Sequence, residues 1–158
     1  MKQGNYVVWT LVVVMLAAGG AFAGGNEITG KCVKVIDGDT LIVKCDKAER
    51  TVQIHGIDAP ELEQPWGKET RSFVKKMVGG ENVQIEVIEG DGDVVDARVT
   101  VNGIDMSEML ISRGLAWVPE DSTDEELVDL AERAREMPCG LWTDSSPQPP
   151  WDFREARS

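Results

Sequence analysis

The 158-residue sequence is short of positive charge: 16 Lys and Arg stand against 28 Asp and Glu, for a net charge of −12. That deficit disfavours nucleic acid as a partner, since a protein that grips a polyanion through its phosphates usually carries a basic face, and local basic groups such as Arg71, Lys75 and Lys76 read as the solvated face of a helix. At long range the chain repels nucleic acid unless salt or a cation intervenes. Histidine occurs once, so imidazole chemistry rests on His55 alone; a half-exposed strand histidine is its plainer reading, and a phosphate contact the sharper one. Internal repeats and long linkers are missing. No cysteine follows the N-terminal apolar run, which removes the sign of a lipoprotein.

What is present begins with Met1-Lys2, an apolar run from Tyr6 to Ala18, and the small-x-small triplet Ala21-Phe22-Ala23. The run is too short for a comfortable membrane span, and residues 1–23 read as a secretory signal peptide, with an uncleaved anchor as the alternative. The expectation is a secreted or periplasmic protein without stable membrane association after cleavage. Loss of residues 1–23 removes one basic residue, Lys2, so the net charge of −12 becomes −13. Residues 24–145 suffice for one domain with a real core, residues 146–158 form a Pro- and Trp-bearing tail, and a monomer is expected.

Alternation of apolar and polar residues predicts strands over 27–35, 41–45, 51–56, 82–88 and 94–101. Phe73, Val74, Met77 and Val78 fall at helical spacing within 67–78, and Gly79-Gly80 stops that helix. Further helices are expected over 105–113, closed by Gly114, and after a capping box at Ser122 or Thr123 with Glu125 or Glu126. Five strands with about three helices give a mainly β fold with α, a five-stranded barrel of OB type. Its core is expected from Val33, Val35, Leu41, Val43, Val52, Ile54, Val83, Ile85 and Val87, with Phe73 and Met77 covering one end.

Two acidic knots carry the chemistry. Ile36-Asp37-Gly38-Asp39-Thr40 reads as a tight turn between the first two strands. Taken alone, an Asp-rich turn is ordinarily a solvated turn. A second knot, Gly56-Ile57-Asp58-Ala59-Pro60-Glu61, ends the third strand, and carboxylates at the ends of neighbouring strands can converge on one hard cation such as calcium.

With these motifs in place, and with Gln64-Pro65-Trp66-Gly67-Lys68-Glu69, Arg113-Gly114-Leu115-Ala116, Gly140-Leu141-Trp142 and Pro147-x-Pro149-Pro150-Trp151, the chain resembles the thermonuclease, or staphylococcal-nuclease-like, family from about Ile28 to Phe153. The resemblance implies a calcium-dependent phosphodiesterase acting on DNA and RNA. It implies Asp39 and Asp58 as metal carboxylates, Asp37 as an acid near the metal, the Ala59 carbonyl as a metal ligand, and Glu61 as the group that activates or orients the attacking water.

Two positions depart from the family pattern. Where the family carries arginines that clamp the phosphate, this chain has Gln53 and Val94. Glutamine donates a hydrogen bond without charge and valine does neither; losing one such donor costs roughly 2.7–4 kcal/mol of transition-state stabilisation. The resemblance therefore implies a weakened nuclease, with a catalytically inactive metal- or partner-binding module on the same fold as the alternative. Of the three cysteines, Cys32 and Cys45 are equidistant from the Gly38-Asp39 turn and form a candidate disulfide across the hairpin, leaving Cys139 over; three reduced thiols, or pairing through Cys139, are the alternatives.

Overall fold

The computed structural model describes residues 27–46 and 48–157. The signal-peptide reading of residues 1–23 lies outside them. Six strands, β1 (Glu27–Val35), β2 (Thr40–Cys45), β3 (Ala48–Ile54), β4 (Asn82–Glu89), β5 (Val94–Val101) and β6 (Ile104–Asp105), form one sheet in the order β3-β2-β1-β4-β5-β6. A parallel pairing of β3 with β5, in register Thr51↔Val94 through Ile54↔Ala97, joins the ends of the first five and closes the barrel. Closure removes the exposed edges that an open sheet would present. The expected OB-type barrel is thus present, with β6 as a short addition after the Asn102-Gly103 turn, whose φ angles of 51° and 78° suit that pair.

The helices are α1 (Gly67–Val78), α2 (Met106–Ser112), α3 (Glu125–Arg135) and α4 (Pro150–Glu155), with a 3-10 turn at Gly140–Thr143. Helix α1 has the predicted bounds and buries Thr70, Val74 and Val78. Helix α3 is capped by Asp124, whose carboxylate accepts from the Glu126 and Leu127 amides, rather than by Ser122 or Thr123. Asp124 leaves two amides in reach of a charged acceptor, which is the stronger cap. The segment expected as a tail carries α4, opened by Pro150 at its first position with Pro150 buried.

Val35, Leu41, Val43, Val52, Ile54, Val83 and Ile85 fill the barrel as expected, and Val87, Phe73 and Met77 pack against it half-buried. Val33 does not; it is 46% exposed. A register shift between Cys32 and Lys34 inserts one residue there, and such a bulge turns the side chain off the inward face. The same irregularity corrects the disulfide. The hairpin pairs Lys31 with Lys44 and Cys32 with Val43, so Cys45 lies level with Gly30, and a Cβ built on Gly30 would stand 2.7 Å from the Cys45 sulfur. Cys32 and Cys45 are offset diagonally, and all three cysteines are free thiols.

Candidate active site

The turn between β1 and β2 is built by its own side chains. Asp37 Oδ1 accepts from the amides of Asp39 at 3.2 Å and Thr40 at 2.8 Å, an Asx-type turn. Asp39 thereby points inward, only 7% exposed. Its Oδ2 accepts from the Ala59 amide at 2.7 Å and its Oδ1 from the Thr40 hydroxyl at 3.1 Å. Gly38 permits this approach, because a Cβ there would meet Ala59 Cβ at 2.6 Å and Thr70 Cγ2 at 2.7 Å. The first acidic knot is therefore docked against the second through Ala59.

The second knot is fixed from two sides. Asp58 and Trp117 exchange backbone hydrogen bonds, each 2.9 Å. Glu61 sits in a small ring with Gln64: the Glu61 amide donates to Gln64 Oε1 at 2.8 Å and the Gln64 amide to the Glu61 carbonyl at 2.9 Å. Gln64 is buried. Gly67 lets α1 begin against this ring, since a Cβ there would collide with the Glu61 carbonyl oxygen.

Asp39, Asp58 and Glu61 are thus held around one end of the barrel. Asp37 is committed to the turn, and Ala59 is buried with its amide turned to Asp39. Gln53 and Val94 lie on the adjoining strands, exposed, Val94 by 64%. Two basic neighbours are engaged elsewhere: Arg98 reaches toward Asp105 at 3.8 Å, and His55 Nδ1 lies 2.6 Å from Asp96. His55, in the turn just after β3, is thus one-third exposed and occupied with Asp96.

The cation at this site comes from a residue that the sequence did not mark. Arg154 of α4 donates Nη1 to Asp58 Oδ1 at 3.1 Å and to Glu61 Oε1 at 2.8 Å, and Nη2 to Asp58 Oδ2 at 2.7 Å. Hydrogen bonds to Asp58 and then Glu61 hold this guanidinium above its ordinary range, so it is charged throughout. The one signal for it was Pro149-Pro150 followed by Trp151-Asp152-Phe153-Arg154, a helix start with an arginine in its last turn.

The donor set suits a divalent cation. Burial pushes the Asp39 carboxyl up to about 7, and Asp37 beside it adds repulsion against the Ala59 hydrogen bond. A buried carboxylate under such strain favours a nearby positive charge, and Asp58 and Glu61 have already drawn one onto themselves. All are hard oxygen donors. Among the described residues no three acidic, histidine or cysteine side chains gather into a single ligand cluster; the carboxylates arrive as a docked pair of knots.

The family model for staphylococcal nuclease homologues matches residues 51–144. An uncharacterized endonuclease of Escherichia coli is 32% identical over 134 residues, covering 83% of this chain and 88% of that protein. A micrococcal nuclease of Shigella flexneri is 28% identical over 157 residues, covering 91% and 88%. The staphylococcal-like nuclease CAN1 of Arabidopsis thaliana is 35% identical over 108 residues, 66% of this chain but 33% of its own length. With the barrel, the two acidic knots and these matches together, the chain belongs to the staphylococcal nuclease homologue family.

Proposed function

We propose that the chain is an exported, calcium-dependent phosphodiesterase that hydrolyses nucleic acid. Asp39 and Asp58 would hold the ion, with the Ala59 carbonyl and Asp37 beside it, and the bound ion would supply a more acidic water and neutralise phosphate charge. Glu61, fixed through its backbone by Gln64, orients the attacking water and takes its proton. The observation that carries this reading is the docking of the Asp39 turn onto Ala59, which brings carboxylates from two separate knots to one end of the barrel. Uncharged Gln53 and Val94 lower the expected rate. The N-terminal pattern ending at Ala21-Phe22-Ala23 supports export.

A second reading, a non-catalytic binding module, is favoured by the same uncharged positions. Single-turnover cleavage of labelled single-stranded DNA and RNA, with calcium or with chelator, separates the two. The enzyme reading expects calcium-dependent cleavage that falls by about 10²–10⁴-fold in Glu61→Gln. No cleavage of either substrate, with calcium still bound in calorimetry, would leave the module.

A further inference from the structure

We infer that Arg154, carried into the site by α4, is the cation that grips the scissile phosphate in this chain. The inference rests on the phosphodiesterase reading for the identity of the ligand, and on the geometry of Arg154 for the rest.

A phosphodiester is an anion, and the end of the barrel where it must sit is lined by Asp37, Asp39, Asp58 and Glu61. A divalent cation offsets part of that charge. The charge that develops on the phosphoryl oxygens still needs a donor fixed in advance. Gln53 and Val94 carry no charge, Arg98 faces Asp105, and Arg71 donates to the Val35 carbonyl at 3.3 Å. Arg154 is the guanidinium that touches both Asp58 and Glu61. Its side chain is 50% exposed, so a ligand can reach it, and its planar fork matches two phosphoryl oxygens as well as it matches a carboxylate.

The placement is built rather than incidental. The Gln148 carbonyl, just before α4, accepts from the Gln64 side chain at 3.2 Å, and Gln64 is the residue that rings Glu61. Trp151 packs edge-on against Trp117 with ring centroids 5.8 Å apart, and Trp117 is the backbone partner of Asp58. Asp58 and Glu61 are thus each linked a second time, through their backbones, to the segment that carries Arg154. From Glu61 a groove of about 300 Å³ runs along α4, lined by Glu63, Phe153, Arg154 and Arg157. The Arg157 guanidinium lies 4.9 Å above the Phe153 ring. A ring and two guanidinium groups in an open groove suit a flexible single strand, with its bases on the ring and its phosphates on the charges. Asp58 and Glu61 hold Arg154 beside the place where the phosphate must sit, with half of its side chain exposed.

The test uses the full chain with Arg154→Ala and Arg154→Lys. Cleavage of single-stranded DNA in calcium is one readout. The other is binding of a phosphorothioate oligothymidylate, followed by tryptophan fluorescence across a salt series. Loss of one phosphate contact in Arg154→Ala lowers the log–log salt slope by about 0.7 and slows cleavage by about 10²–10³-fold. Arg154→Lys restores the slope, because it keeps the charge, but not the rate, because it loses the fork. Faster cleavage and tighter calcium binding by Arg154→Ala would overturn the inference and make the guanidinium a plug. An unchanged salt slope overturns it whether or not the wild type cleaves. An Arg154-dependent slope in a protein that cleaves nothing sustains the phosphate contact and removes only the enzyme reading.

Discussion

Replacing Gly38 by alanine tests how the two acidic knots are brought together. The residue needs no left-handed backbone; it needs space, since its Cβ would stand 2.6 Å from Ala59 Cβ and 2.7 Å from Thr70 Cγ2. Both neighbours are buried and cannot yield, Ala59 at 5% exposure and Thr70 at 0%. Overpacking of this kind costs about 1–3 kcal/mol. Restriction of the unfolded chain by alanine returns about 0.4–1 kcal/mol, leaving a net loss between about 0 and 2.6 kcal/mol on combining the two ranges. The relief comes by moving the Asp39 turn outward, which stretches the 2.7 Å bond from the Ala59 amide. Calcium affinity should fall at least tenfold, about 1.4 kcal/mol. Gly92 is the internal control: a Cβ there meets nothing within 4 Å, so Gly92→Ala should be neutral or slightly stabilising. Urea unfolding and calcium calorimetry on both variants make the comparison. Adding Ala59→Gly and Thr70→Ser to Gly38→Ala removes the colliding carbons while keeping the hydroxyl that donates to the Leu115 carbonyl, and should recover part of the loss. If Gly38→Ala unfolds with Gly92→Ala and binds calcium like the wild type, close approach at Gly38 does not set the site.

Other outcomes follow from single features. The Asp39 carboxyl sits at about 7 in the folded chain, above the roughly 3.9 of an unfolded aspartate. The native state therefore holds the extra proton between these values, and the contribution of Asp39 to metal-free stability is fully present below pH ~4 and is lost as pH rises through ~7. Scanning calorimetry in chelator should show that slope, and Asp39→Asn should flatten it. Burial raises the Cys32 and Cys45 thiols, so a thiol reagent should label half-buried Cys139 first and the other two only on unfolding; a Cys32–Cys45 peptide in a non-reducing digest would contradict the register. Leu110 is fully buried, and Leu110→Ala should cost about 2–5 kcal/mol in urea unfolding.

The barrel was legible because its strands alternate and its turns use glycine and asparagine where the backbone demands them. Val33 was not, because a one-residue bulge leaves the apolar character of the strand unchanged while turning one side chain outward. Asp39, Asp58 and Glu61 were legible as acids in two turns, and the structure adds how the two turns dock: Gly38 leaves room and Ala59 supplies the amide. Arg154 escaped because nothing local ties it to Asp58, 96 residues earlier; the link exists only once Trp117, Gln64 and α4 have packed. The α3 cap was misjudged by one or two positions, since Ser122, Thr123 and Asp124 all suit a cap and only the packed chain selects among them.

The separation between Asp58 and Arg154 also fixes an order of events during synthesis. The barrel can close once β5 has emerged, and the acidic end then stands without its guanidinium. At ordinary elongation rates of about 5–20 residues per second, the roughly 50 residues from the end of β5 at Val101 to Arg154 take roughly 3–10 seconds to make. Through that interval the nascent chain has its acids but not the arginine that bridges them, and a finished molecule shortened to end before α4 would stand in the same half-assembled condition.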